Sequence, residues 1–153
     1  ALRSGRIRSI VGHRVPLGRV SRPLQRDGVV LTGDAAGIGD PLWGEGIYYA
    51  LKSGRIAAET IGAALDRDLH APDLCDYDRR IRREIVSDLR YARAFAWLFY
   101  RFPRGRAASL AGDPVLAAGM MDVLRGRLTY RRFIPLVLRR LPRFIVGRST
   151  GRA

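Results

Sequence analysis

The chain has 153 residues, 47% of them hydrophobic, and a formal net charge of +14, enough for one ordinary core and too apolar for wholesale disorder. A single cysteine excludes an internal disulfide or a cysteine-based metal cluster, and no apolar run reaches the length of a membrane span. The charge is uneven: residues 1–33 carry seven Arg against one Asp and residues 107–153 nine Arg against two Asp, while the middle is nearly neutral.

In chain order, the loose alternation of Arg6 to Val15 predicts a strand, followed by a turn at Pro16 and Gly18. Asp27-Gly28 is a turn signal that opens a short β-run ending at Leu31. Gly33 to Gly44 holds too much Gly and Pro for regular structure. From Gly46 a helix is expected, with Ile47, Ala50, Leu51, Gly54, Ala58, Ile61 and Leu65 at helical spacing and small residues that permit close approach to a sheet. After a break at Pro72, Asp73 is an N-cap for a long helix towards Phe102, charged in its first half and aromatic in its second. Another helix covers Pro114 to Leu124. The tail from Arg131 to Val146 is amphipathic, with Phe133, Ile134, Val137, Leu138, Leu141, Phe144 and Ile145 opposite Arg132, Arg139, Arg140 and Arg143. Pro135 and Pro142 should shorten or kink it.

The informative segment is Leu31 to Ile47, LTGDAAGIGDPLWGEGI. It puts one carboxylate, Asp34, at a strand end, and unpaired backbone N–H groups where the next helix begins. Those parts suit a flavin dinucleotide. Asp34 can accept hydrogen bonds from ribitol hydroxyls. The positive helix end near Gly44 favours an anionic reduced ring. Gly44 and Gly46 let the backbone approach a planar ring, and Pro41 fixes the loop's φ. A plain crossover needs neither the second Gly-x-Gly nor the small-residue helix. Glu45 is the acid nearest such a ring, and a structural role at the helix start is expected of it rather than proton transfer. Trp43 either walls a substrate channel or caps the loop. Cys75 is expected to be buried as a small apolar residue. His13 and His70 stand far apart without partners, so no metal site is expected, and no catalytic residue is assigned.

The string GDAAG…P…GEGIYYALKSGRIAAE resembles the carboxyl-side FAD motif of the geranylgeranyl reductase family, within the p-hydroxybenzoate hydroxylase-like flavoproteins. The likeness is dense from Val29 to Glu59, and His13-Arg-Val-Pro16-Leu-Gly18 is similar to the turn before this strand. It implies that Asp34 contacts the ribitol and that Gly46 and Ile47 contact the ring by backbone. Glu45, Gly44 and Pro41 complete the implied cofactor site. The family's Gly-x-Gly-x-x-Gly fingerprint, which grips the pyrophosphate, occurs nowhere in the chain. The resemblance therefore implies the C-terminal part of such an enzyme, lacking a complete site by itself.

The expected fold is an α/β fragment. Residues 1–68 would be the last strand and helix of an FAD-binding Rossmann-like domain, and residues 69–153 a mainly α-helical C-terminal region facing a substrate channel or membrane surface. The implied activity is reduction of C=C bonds of geranylgeranyl chains. Its partners would be a prenyl-chain substrate, an electron donor (reduced nicotinamide or ferredoxin) and a peripheral membrane contact. The implied location is cytoplasmic. Nucleic acid is not expected. Two alternatives stand beside it: an FAD-dependent monooxygenase or halogenase of the same superfamily, and a flavin-free basic module binding nucleic acid or anionic membranes.

Overall fold

The structure is a computed structural model and describes residues 9, 11–66, 74–101 and 112–146. Strands β1 (Gln25–Arg26) and β2 (Val29–Val30) form an antiparallel hairpin, and a 3₁₀ turn follows at Gly33–Ala36. Helix α1 spans Ile47–Leu65. Helix α2 (Cys75–Ile81) passes through a π-helical turn, Arg82–Val86, into α3 (Ser87–Arg101). Helices α4 (Pro114–Leu124) and α5 (Tyr130–Val146) complete it. The described architecture is thus mostly helical with a two-stranded sheet, compatible with a piece of a larger domain.

The Asp27-Gly28 signal produces a two-residue hairpin turn, with φ of 50° and 78° at those positions. Both lie in the left-handed region that such turns require. α2 fastens this hairpin from below. Asp78 accepts from the Leu24 amide at 3.1 Å, and the Tyr77 hydroxyl donates to the Leu31 carbonyl at 2.5 Å. Burial, with the Asp78 charge adding to it, pushes the Tyr77 pKa up to about 12.

The expected strand through Val15 does not form over residues 11–15, which run exposed beside no partner strand. Only Leu17 makes a bridge, to Gly39. The earlier part of that expected strand lies outside the described residues, as do Pro72, Asp73, Phe102, His70, the boundary at residue 68 and the side chains beyond Arg140.

The face of α1 also differs from expectation. Tyr49, Ser53, Ile56, Ala57, Thr60 and Ala64 are buried, while Ile47, Leu51 and Leu65 are 73%, 72% and 66% exposed. The helix carries two apolar faces, and only one has a partner among the described residues. A helix apolar on both sides suits the interior of a larger assembly.

Along α2 and α3 the buried residues Tyr77, Ile81, Ile85 and Leu89 recur every fourth position. That spacing exceeds the 3.6-residue period, and the wide π turn keeps the stripe on one side. The turn leaves the Glu84 carbonyl to accept from Lys52 Nζ on α1 at 3.0 Å. Phe95 packs edge-on against Phe133 of α5, whereas Tyr91, Trp97 and Tyr100 of the aromatic stretch are exposed.

α4 begins where the sequence places it, with Asp113 accepting from the amides of Val115 and Leu116. Arg140 holds the Asp113 carboxyl below its ordinary pKa. α5 runs through Pro135 and Pro142 as a continuous helix, against the expected shortening. Its apolar stripe is spent on packing: Phe133 and Val137 are buried and Ile134 partly so, with Leu138 left exposed. Cys75 is exposed rather than buried, because it opens α2 at the surface, where Gln25 Nε2 donates to its Sγ at 3.6 Å.

The tightest turn is Gly126, between α4 and α5. Its φ is +68°, and a Cβ there would stand 2.1 Å from the Tyr48 ring. Gly126→Ala is expected to destabilise the protein by more than about 1 kcal/mol, read by urea unfolding. A second anchor joins α5 to the loop before α1, where the Tyr130 hydroxyl donates to Asp40 Oδ2 at 2.7 Å with both residues buried. Tyr130→Phe leaves a buried carboxylate oxygen without its donor, and a loss of about 1–3 kcal/mol is expected in the same measurement.

Candidate functional site

The segment from Gly33 to Gly46 is held open by its own backbone and by one buried acid. Asp40, 2% exposed, accepts from the amides of Leu42 at 2.7 Å and Trp43 at 3.0 Å and from Tyr130. Its amide donates to the Glu45 carbonyl at 2.7 Å, and its carbonyl accepts from Gly44 at 2.9 Å. These bonds close Asp40 to Glu45 into a fixed loop. Burial, and then the Asp40 hydrogen bond, hold the Tyr130 hydroxyl well above its ordinary pKa, so it stays a donor. The Tyr100 hydroxyl adds a bond to the Leu42 carbonyl.

The stretch resembling the family's preceding turn lies against this loop. Arg19 donates its amide to the Gly37 carbonyl at 3.1 Å. Gly18, with φ +56°, sits so close to Pro41 that a Cβ would stand 3.2 Å from its ring. Pro41 is therefore half-buried packing between two loop segments. Gly33 also packs closely: a Cβ there would stand 3.1 Å from the Ala50 Cβ, while its amide donates to Ser53 Oγ at 3.0 Å.

Asp34 is exposed at the start of the 3₁₀ turn. Its Oδ1 stands 2.9 Å from where a Cβ on Gly46 would lie and 3.8 Å from one on Gly39. The Asp34 carboxylate and the helix entry thus converge, and a side chain at position 46 would have to displace that carboxylate. Gly44 has φ +69° and open space where its Cβ would be. Trp43, 45% exposed, and Ile47 flank it at the surface. Five of the six residues singled out from the sequence (Asp34, Gly44, Glu45, Gly46 and Ile47) form one surface around the α1 entry, with Pro41 packed just behind.

The helix entry differs from expectation in its electrostatics. Glu45 Oε1 accepts from the amides of Ile47 at 2.6 Å and Tyr48 at 3.2 Å. These first-turn donors are not free, and a carboxylate already faces the positive end of the helix. The cause is local. With glycine at the N-cap position there is no capping side chain, and the neighbouring glutamate folds back to serve instead.

Sequence reasoning missed Asp40 and Tyr130. A Gly-Asp-Pro string is a signal for an aspartate bonding to amides just ahead of it, and that signal was available. Tyr130 lies 90 residues away and carries no local sign of its role.

The geometry tests favourably for a planar, hydroxyl-bearing group in one respect. The Asp34 carbonyl accepts from the Gly37 amide at 3.0 Å, but its carboxylate has no hydrogen-bond partner among the described residues, and the Gly44 face is open. No group of His, Cys, Asp and Glu able to hold a metal ion is found among the described residues. No described helix is long and apolar enough to cross a membrane.

No family model matches the chain, and no solved structure matches it. Curated proteins do. A Methanosarcina barkeri protein named only as uncharacterized is 40% identical over 89 residues, 58% of this chain and 22% of that protein. The digeranylgeranylglycerophospholipid reductase of Methanocella arvoryzae is 36% identical over 86 residues, 56% of this chain and 22% of the reductase. The geranylgeranyl diphosphate reductase of Synechocystis is 36% identical over 114 residues, 70% of this chain and 27% of the reductase. The chain therefore spans about a quarter of the length of the curated relatives it matches. Several such partial matches, at moderate identity, are to proteins named as geranylgeranyl or digeranylgeranylglycerophospholipid reductases.

Proposed function

We propose that this chain is the flavin-facing, C-terminal part of an FAD-dependent reductase acting on C=C bonds of prenyl chains. The observation that carries the reading is the convergence of the Asp34 carboxylate on Gly46, with Oδ1 2.9 Å from the position a Cβ would take. An acceptor with no hydrogen bond among the described residues, beside an open glycine surface, is what a ribitol chain and a flat ring need. Residues 1–68 would be the end of a Rossmann-like FAD domain and residues 69–153 a helical region beside the substrate. The exposed second face of α1, with Ile47, Leu51 and Leu65, supports this division, because a neighbouring sheet would cover it.

In this reading Asp34 accepts from the ribitol hydroxyls. Gly44, Gly46 and Ile47 lie along the ring through their backbone. Glu45 keeps the helix entry in shape, and Pro41 braces the loop from behind. Reduced FAD, when bound, would supply hydride to one carbon of the double bond, the other carbon taking a proton. The protein's own share is to hold the loop rigid through Asp40 and Tyr130 and to exclude water over the ring. No residue of this chain is assigned to the pyrophosphate or to the electron donor, reduced nicotinamide or ferredoxin. The same surface would serve a related monooxygenase; the relatives' names favour the reductase.

The test replaces the matched stretch of the Methanocella reductase by this chain. The chimera is expected to retain FAD on purification, and geranylgeranyl lipid should reoxidise its reduced flavin without oxygen. Asp34→Ala should weaken FAD binding on the order of tenfold, the worth of one charge-assisted hydrogen bond, and Gly46→Val should do so through the clash with Asp34. A folded chimera that holds no flavin, or one indifferent to Asp34→Ala, contradicts the reading.

A further inference from the structure

The surface shared by the π turn, α3 and α5 carries a second feature. An open cleft of about 1090 Å³ runs between the π turn, α3 and the start of α5, and Arg83, Arg90, Arg131 and Arg132 all line it. Two carboxylates share the cleft, and both are already engaged. Asp88 accepts from the Tyr130 amide at 3.0 Å and the Arg131 amide at 2.9 Å, which caps α5. Glu84 is held by Arg80 at 3.3 Å and by Arg83 at 3.5 Å. Among the described residues no carboxylate pairs with Arg90, Arg131 or Arg132.

Three guanidinium groups with no carboxylate partner among the described residues line one cleft and leave it open to an anion. Arginine's planar fork matches phosphate oxygens two at a time, which lysine cannot do. The fold holds the cleft together from both sides. The π turn sets Arg83 and Glu84, and Asp88 ties α3 to the first amides of α5, fixing where Arg131 and Arg132 begin. Tyr91, 43% exposed, offers an aromatic wall beside the arginines.

We infer that this cleft is a binding site for a phosphate-bearing ligand, gripped by Arg90, Arg131 and Arg132 with Arg83 at its edge. A soluble diphosphate and an anionic lipid headgroup both carry such a phosphate. The site is independent of the flavin reading and needs no cofactor to be tested.

Binding of inorganic pyrophosphate, and of phosphatidylglycerol vesicles against phosphatidylcholine vesicles, is measured with the full chain at about 0.15 M salt, where general attraction is damped. Arg90→Gln with Arg132→Gln is compared with Arg125→Gln plus Arg127→Gln, which removes the same charge elsewhere. A tenfold loss of pyrophosphate affinity in the cleft variant alone supports the site with a soluble diphosphate. The same selective loss on phosphatidylglycerol vesicles, with pyrophosphate binding weakly, supports it with a lipid headgroup. Equal losses in both variants, or no binding of either probe, overturn it, because net charge alone would then account for any attraction.

Discussion

One buried carboxylate organises the candidate site. Asp40 has almost no contact with water, and moving a charge into such a place costs several kcal/mol before compensation. The compensation is local at one oxygen and remote at the other. Oδ1 gathers the amides of Leu42 and Trp43, and Oδ2 takes the hydroxyl of Tyr130 on a helix 90 residues further on. The first set shapes the loop and the second fixes it to the helical body. Between them they set the direction in which Gly44 and Gly46 enter α1, and so the distance between Gly46 and Asp34.

The helix entry shows a second balance. A helix start without a capping side chain exposes its first amides, and Glu45 answers them with its own carboxylate. That removes donors which an anionic ring would otherwise find. What the surface keeps is backbone flatness and the Asp34 acceptor. Any cofactor seated here would be held by shape and hydroxyl recognition more than by the helix dipole.

Much of the fold was legible, for reasons that can be named. The Asp27-Gly28 turn and the span of α4 follow from local chemistry that needs no distant partner. The grouping of Asp34, Gly44 and Gly46 was legible because their spacing already encodes the loop. What failed depended on partners. The stripe from Ile47 to Leu65 has helical spacing, yet the other face of α1 is buried, since periodicity does not say which of two apolar faces finds a neighbour. Residues 11–15 alternate without a strand to pair with. Cys75 was expected inside on residue type alone, but its place at a helix start puts it outside. Pro135 does not end α5, whose buried residues Tyr130, Phe133 and Val137 hold it against α3 and α4. The Asp40–Tyr130 bond was out of reach because neither residue's neighbours point to the other.

The central claim is that Asp40 positions the loop on which Asp34 and Gly46 meet. Amide hydrogen exchange in Asp40→Ala, compared with the native chain, tests it most directly. Protection is expected to fall at Leu42, Trp43 and Gly44, while the middle of α1 and the stretch from Ile81 to Leu89 keep theirs. Unchanged protection at Leu42 and Gly44 in a folded variant would contradict it.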